Sequence, residues 1–184
     1  MITEEQAVEI RRRARKMFVE SGILLRPAEL EAIFVEDFGL GEFERIGLSL
    51  VQTVDTPAIN LRLLALLPEQ LCPEHRHCPQ GDYAGKEETF RCQWGEVYLY
   101  VPGEATPEPK ATPPAHRRPH FTSWHEVVLR PGEQHTVPPG TLHWFQAGPK
   151  GAVVWTFCSR IAIGADRFTD PEIVGLTCGV QQEE

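Results

Sequence analysis

The chain has 184 residues, 41% of them hydrophobic, and a formal net charge of −8. That length suits one domain with a single buried core. The negative charge opposes a nucleic-acid backbone or an anionic membrane as partner, and no apolar run approaches the ~18 residues of a membrane span. The acidic start, Met1 to Glu5, leads into no apolar signal region. The five cysteines, Cys72, Cys78, Cys92, Cys158 and Cys178, are odd in number and never spaced CxxC. Without an export signal they read as reduced thiols, and a cytoplasmic location is expected.

Thr3 to about Ser21 reads as a helix: Thr3 and Gln6 fit a capping box, and Ala7, Ile10, Ala14, Met17 and Phe18 share a face. Arg11, Arg12, Arg13, Arg15 and Lys16 form its solvated side. A second helix is expected from Pro27 through Leu30 and Ile33, stopping before Gly39-Leu40-Gly41. Short strands then follow at 46–54, 58–67, 72–78, 89–93, 96–101, 125–129, 141–146 and 152–158, separated by Pro, Gly and Asp. This is the pattern of an antiparallel sandwich or barrel. A connector from Pro102 to Pro119 carries Pro107, Pro109, Pro113 and Pro114 between them, and is expected to be functional or a surface excursion. The expected organisation is one domain over 1–184: N-terminal helices to 41, a β-barrel over 42–165 and a tail over 166–184, with Gln181 to Glu184 frayed.

Chemistry concentrates in Cys72-Pro73-Glu74-His75-Arg76-His77-Cys78 and in Pro138-Pro139-Gly140-Thr141-Leu142-His143. On a strand, i and i+2 share a face, so His75 and His77 project together, while Cys78 points away as a packed thiol. Two imidazoles on one face, joined by a third and by an acid, make a divalent-metal site. Lys86 shares the face of Glu88 if the strand already runs there. Burial and a nearby cation would lower its pKa and make it an acid–base candidate. His116 and His120 lie in the proline-rich connector as exposed or lid residues, whereas His125 and His135 are expected to be structural. Trp94, Tyr98, Tyr100, Trp144 and Phe145 read as barrel core.

The two histidine segments resemble the paired motifs of the cupins. Glu88 and Gly95 keep the spacing of the first motif, although ten residues separate His77 from Glu88, a longer gap than usual. Gly132, Pro138, Gly140 and His143 keep the second, with Ala147 replacing its terminal Asn. The resemblance implies a mainly β fold, a cupin jelly-roll β-barrel with short N-terminal helices. His75, His77, Glu88 and His143 would then hold the metal. Three imidazoles and a carboxylate suit Mn, Fe(II), Co, Ni or Zn.

The chain further resembles the D-lyxose isomerases. The likeness is carried by Cys72–His77, Gly85–Cys92, Gly95–Val101, Trp124–Glu126, Pro138–Gly148 and Phe168–Ile173. One subgroup of that family has the long gap before Glu88. The resemblance implies a homodimer that interconverts D-lyxose and D-xylulose, and also D-mannose and D-fructose. Mn2+ would be the preferred ion, Lys86 an active-site residue, and a carboxylate the base in an enediol proton transfer; a hydride shift is the rival mechanism. Glu74, Glu133, Asp166 and Asp170 are candidates for the base, with Asp170 chosen. Two other readings of the same ligands are an Fe(II) dioxygenase, which would consume O2, and a non-catalytic sugar-binding cupin, which would bind sugar without product.

Overall fold

The computed structural model describes residues 2–162 and 164–173; the expected fraying at Gln181 to Glu184, and Cys178, lie outside them. Helix α1 spans Glu4–Glu20 and α2 Pro27–Glu31. The capping box of α1 is formed, with Thr3 N donating to Gln6 Oε1 at 2.8 Å and Gln6 N to Thr3 Oγ1 at 3.2 Å. Its apolar face, Ile10, Ala14, Met17 and Phe18, packs on the outer face of the sheet at Val51, Leu63, Ala65 and Val153. No helix among the described residues is long and apolar enough to cross a membrane.

The second helix ends two residues earlier than its apolar spacing suggests. Ile33 is buried under α1, and Phe34–Glu36 forms a strand, β1, paired antiparallel with Leu48–Leu50. In Phe34-Val35-Glu36 the partner strand offers backbone hydrogen bonds to a stretch that suits a pleated surface, and tertiary pairing overrides local helical spacing. The remaining strands are β2 (Leu48–Asp55), β3 (Ile59–Leu66), β4 (Leu71–His77), β5 (Glu88–Val101), β6 (His125–Leu129), β7 (Gln134–Val137), β8 (His143–Ser159) and β9 (Asp166–Phe168).

Two long strands replace four expected short ones. The stretches read as 89–93 and 96–101 are the two halves of β5, and those at 141–146 and 152–158 belong to β8. These strands pair with each other along their length. The late half of β8 also pairs with β3, and its early half with β4, which carries β9 on its far side. Residues 148–151 of β8 stand opposite Glu96 alone, because Gly95 pairs with Ala152 and Val97 with Ala147. The sheet thereby curls, and the largely apolar core fills its concave side. There Tyr100 and Trp144 stack with centroids 4.1 Å apart.

Gly95 makes the crossing possible. Its φ is +75°, and a Cβ there would lie 2.0 Å from the Gly151 carbonyl oxygen. Any side chain would drive the two strands apart. The glycine that completes the first cupin spacing is thus needed for close backbone approach.

The connector after Val101 lies against the barrel, held by main-chain donors. Lys110 N donates to Glu126 Oε2 at 2.7 Å, Ala111 N to Tyr100 Oη at 2.9 Å, and Thr112 N to Gln146 Oε1 at 2.7 Å. His116, farther along this connector, is exposed and contacts Glu42 at 3.0 Å, while His120 is half-buried.

Candidate metal centre and active site

Strand register assembles the site. Residue His75 on β4 pairs with His143 on β8 on one side and Phe168 on β9 on the other; His77 pairs with Asp166. The ten-residue loop between His77 and Glu88 turns at Gln80 and Tyr83, which exchange backbone hydrogen bonds of 2.8 and 3.0 Å, and returns to Glu88. Gly140 N donates to the His77 carbonyl at 3.0 Å, tying the two histidine segments together through the main chain.

Nitrogens of His75, His77 and His143 all lie within 4.8 Å of one another, and all three residues are buried. Their Nδ1 atoms are committed elsewhere: to Pro73 O at 2.8 Å, Asp166 Oδ1 at 2.5 Å and Thr141 O at 2.9 Å respectively. A carbonyl oxygen can only accept, so Nδ1 of His75 and of His143 carries the hydrogen and Nε2 presents its lone pair. Burial weakens both as bases, His75 to about 4 and His143 well below its usual value. Neutral imidazoles with Nε2 free are the form that binds metal. His143 Nε2 has no hydrogen-bond partner among the described residues despite full burial. An orphaned acceptor beside two further imidazoles fits a metal ion, since otherwise its desolvation is uncompensated.

Glu88 supplies the carboxylate. Its Oε2 lies 3.1 Å from His77 Nε2, 4.0 Å from His143 Nε2 and 2.9 Å from Lys86 Nζ. Burial works against its charge, but Lys86 and then His77 outweigh it and hold the carboxyl well below the usual range. Cys158, its thiol pushed up to about 12 mainly by burial, donates to Glu88 Oε1 at 3.3 Å. Lys86 precedes the strand yet is buried. The expected fall in its pKa is reversed: burial does oppose the charge, but Glu88, Cys158 and Asp166 together raise it.

The four predicted ligands and Lys86 therefore come together, and Asp170 does not join them. It is buried elsewhere, 3.2 Å from Arg117 Nη1 and accepting from Glu172 N at 2.9 Å, and is not among the residues lining the cavity. Glu74 is also committed, accepting from Thr122 N at 2.9 Å, Thr122 Oγ1 at 2.8 Å and Ser123 N at 2.7 Å. Glu133 accepts from Arg130 N at 2.8 Å in the turn before β7.

The cavity beside the histidines has a volume of ≈ 60 Å³, and its lining includes Glu36, Arg62, Lys86, Glu88, Thr156 and Asp166. A space so small and enclosed admits no polymer. Asp166 is held below the usual carboxylate range: burial opposes this, and the His77 hydrogen bond and charge prevail. Glu36 is different. It is 7% exposed, one oxygen accepts from Phe38 N at 2.7 Å, and burial pushes its carboxyl up to about 7. Sequence reading missed Glu36, Arg62 and Thr156. Arg62 had a usable signal, since it shares a strand face with Leu64 in a run that is otherwise mostly apolar.

The curled two-long-strand barrel is the cupin fold, and the converging imidazoles beside a carboxylate are a site able to hold a metal ion. No protein-family model matches the chain. It is 50% identical over 173 residues to the D-lyxose ketol-isomerase of Thermofilum sp. (strain ex4484_79), covering 94% of this chain and 96% of that relative. It is 46% identical over the same length to the D-lyxose/D-mannose isomerase of Thermosediminibacter oceani, covering 94% and 96%. Cellulomonas parahominis L-ribose isomerase, solved with L-ribose, shares the fold with a TM-score of 0.79 over 94% of each chain, at 14% identity. The Geodermatophilus obscurus L-ribose isomerase does so with a TM-score of 0.72 over 95% of this chain and 90% of that one, at 18% identity. The chain belongs to the D-lyxose ketol-isomerase family and is an aldose–ketose isomerase.

Proposed function

We propose that this protein interconverts D-lyxose and D-xylulose, with D-mannose and D-fructose as a second pair, using Mn2+ held by His75, His77, Glu88 and His143. The observation that carries this reading is the trio of buried imidazoles with Nδ1 engaged elsewhere and ring nitrogens within 4.8 Å of one another beside Glu88, in a chain about half identical to D-lyxose ketol-isomerases. A divalent ion held there would supply Lewis-acid polarisation of the sugar's oxygens, which makes the C2 proton more acidic.

The chain's own residues supply the proton handling. Lys86, charged, buried in the cavity lining and 2.9 Å from Glu88, would donate to a sugar oxygen held beside the ligand set. A carboxylate must take the proton from C2 and return it to C1, while the C2–H electron pair forms the C1–C2 double bond of the enediol. Of the cavity-lining carboxylates, Glu88 is held by Lys86 and Asp166 by His77, which leaves Glu36. Its pKa near 7 suits a group that must take up and release a proton near neutrality. Asp170 serves instead to anchor Arg117.

Mn-loaded protein incubated with D-lyxose should yield D-xylulose, and in D2O the product should gain deuterium at C1. Turnover without any solvent deuterium would replace the enediol by a hydride shift; no turnover of lyxose or mannose would end the reading. The protein is further proposed to act in the cytoplasm as a homodimer, which a scattering mass of one chain would refute.

A further inference from the structure

Arg62 on β3 and Thr156 on β8 are directly opposed in the antiparallel register, and Phe90 on β5 continues the row. All three line the cavity. Arg62 is 9% exposed and Thr156 fully buried. Arg62 Nε has no hydrogen-bond partner, and no carboxylate among the described residues pairs with the guanidinium. Thr156 Oγ1 is scarcely better served, having only the weak Cys158 thiol beside it. A buried guanidinium without an acceptor is costly, and a native fold keeps one where a ligand completes it.

We propose that Arg62 and Thr156 form a hydroxyl-binding subsite for the part of an open-chain pentose remote from C1 and C2. This rests on the isomerase reading for which end of the sugar faces the histidines, but the subsite itself stands on the orphaned polar atoms. The guanidinium fork offers several donors in one plane and Thr156 a hydroxyl that both donates and accepts, a set matched to neighbouring sugar hydroxyls. A neutral polyol fits better than an anion. Glu88 and Asp166, both held ionised, balance Lys86 and Arg62 along the lining, so these side chains leave no surplus of positive charge for an anion. Arg62 is thus a specificity-determining residue, reading hydroxyls that take no part in the proton transfer.

The test is calorimetric binding of D-arabinitol, a pentitol that cannot be isomerised, to Mn-loaded wild type, Arg62→Met, Arg62→Lys and Thr156→Val, with metal content measured on each. Loss of one hydrogen bond to a charged donor predicts affinity about 10- to 100-fold weaker in Arg62→Met at unchanged metal content. Thr156→Val should lose several-fold. Arg62→Lys keeps the charge without the fork and should still lose affinity, which covers the case that the Met variant does not fold. Pentitol affinity equal to wild type in either Arg62 variant overturns the subsite, as does wild type that binds no pentitol. Tighter, Arg62-dependent binding of D-lyxose 5-phosphate would replace the neutral ligand by an anionic one and also overturn it. Arg62-dependent pentitol binding in a protein that isomerises no aldose would leave the subsite standing and remove only the isomerase reading.

Discussion

Replacing Glu36 by Gln removes one ionisable group from the cavity while nearly preserving its shape and its acceptor for Phe38 N. The carboxyl stands at about 7 against an ordinary 4.5, chiefly through burial, with the Asp37 charge adding to it. The charged groups sharing its cavity are Arg62, Lys86, Glu88 and Asp166, together with the imidazoles of His75 and His77. Because the folded state binds this proton more tightly than the unfolded chain, the associated stability is fully present below about 4.5. It is lost as pH rises through about 7. That displacement corresponds to roughly 3 kcal/mol. Glutamine mimics the protonated form at every pH, so Glu36→Gln should gain on wild type between pH 4.5 and 8 by about that amount. Urea titrations of both metal-free proteins at half-unit pH intervals measure the difference directly, and other titrating groups cancel between them. Parallel stability curves across this window would show that Glu36 titrates normally and would remove its claim to be the base. In the Mn-loaded enzyme the same change should lower kcat about 10²- to 10⁴-fold. The rise of kcat/KM with pH that belongs to an essential base should disappear with it.

Asp166→Asn removes the carboxylate that fixes the His77 ring and should weaken Mn2+ binding about 10- to 100-fold; competition with a chelator reads this, and an unchanged affinity would count against the ligand role of His77. Gly95→Ala forces a Cβ to 2.0 Å from the Gly151 oxygen at a φ of +75°. It should cost ~2 kcal/mol or more in denaturant titration, and an unaltered midpoint would mean that the strand crossing can relax.

What could be read from residues alone follows the range of the forces involved. The helix start at Thr3 and the facing of His75 and His77 depend on neighbours two or three positions away, so spacing reveals them. The cupin motifs extend this reach, because Gly95 and Gly140 mark backbone constraints that few other residues satisfy. Strand β1 was hidden because three residues cannot declare a period; only pairing with Leu48–Leu50 makes Phe34–Glu36 extended. Glu36 was hidden with it. Its role depends on which residues curl around it, and no spacing records that.

Asp170 and Asp166 show the same limit from the other side. Both are tail acids a few residues apart, and composition gives no reason to prefer either. The register of β9 against β4 decides: it sets Asp166 opposite His77, Arg167 opposite Arg76 and Phe168 opposite His75. Thr169 N then donates to the Glu74 carbonyl at 3.1 Å, and the chain turns so that Asp170 meets Arg117. A one-residue slip would reverse every side chain of β9, taking Asp166 from His77 and Phe168 from His75. Phe168 stacks on His75 with ring centroids 5.3 Å apart and packs against Phe38 at 5.7 Å, so burying it favours this register. The apolar residue of the tail therefore holds the acidic one in place, and the orientation of His77 depends on the packing of Phe168 as well as on the Asp166 hydrogen bond.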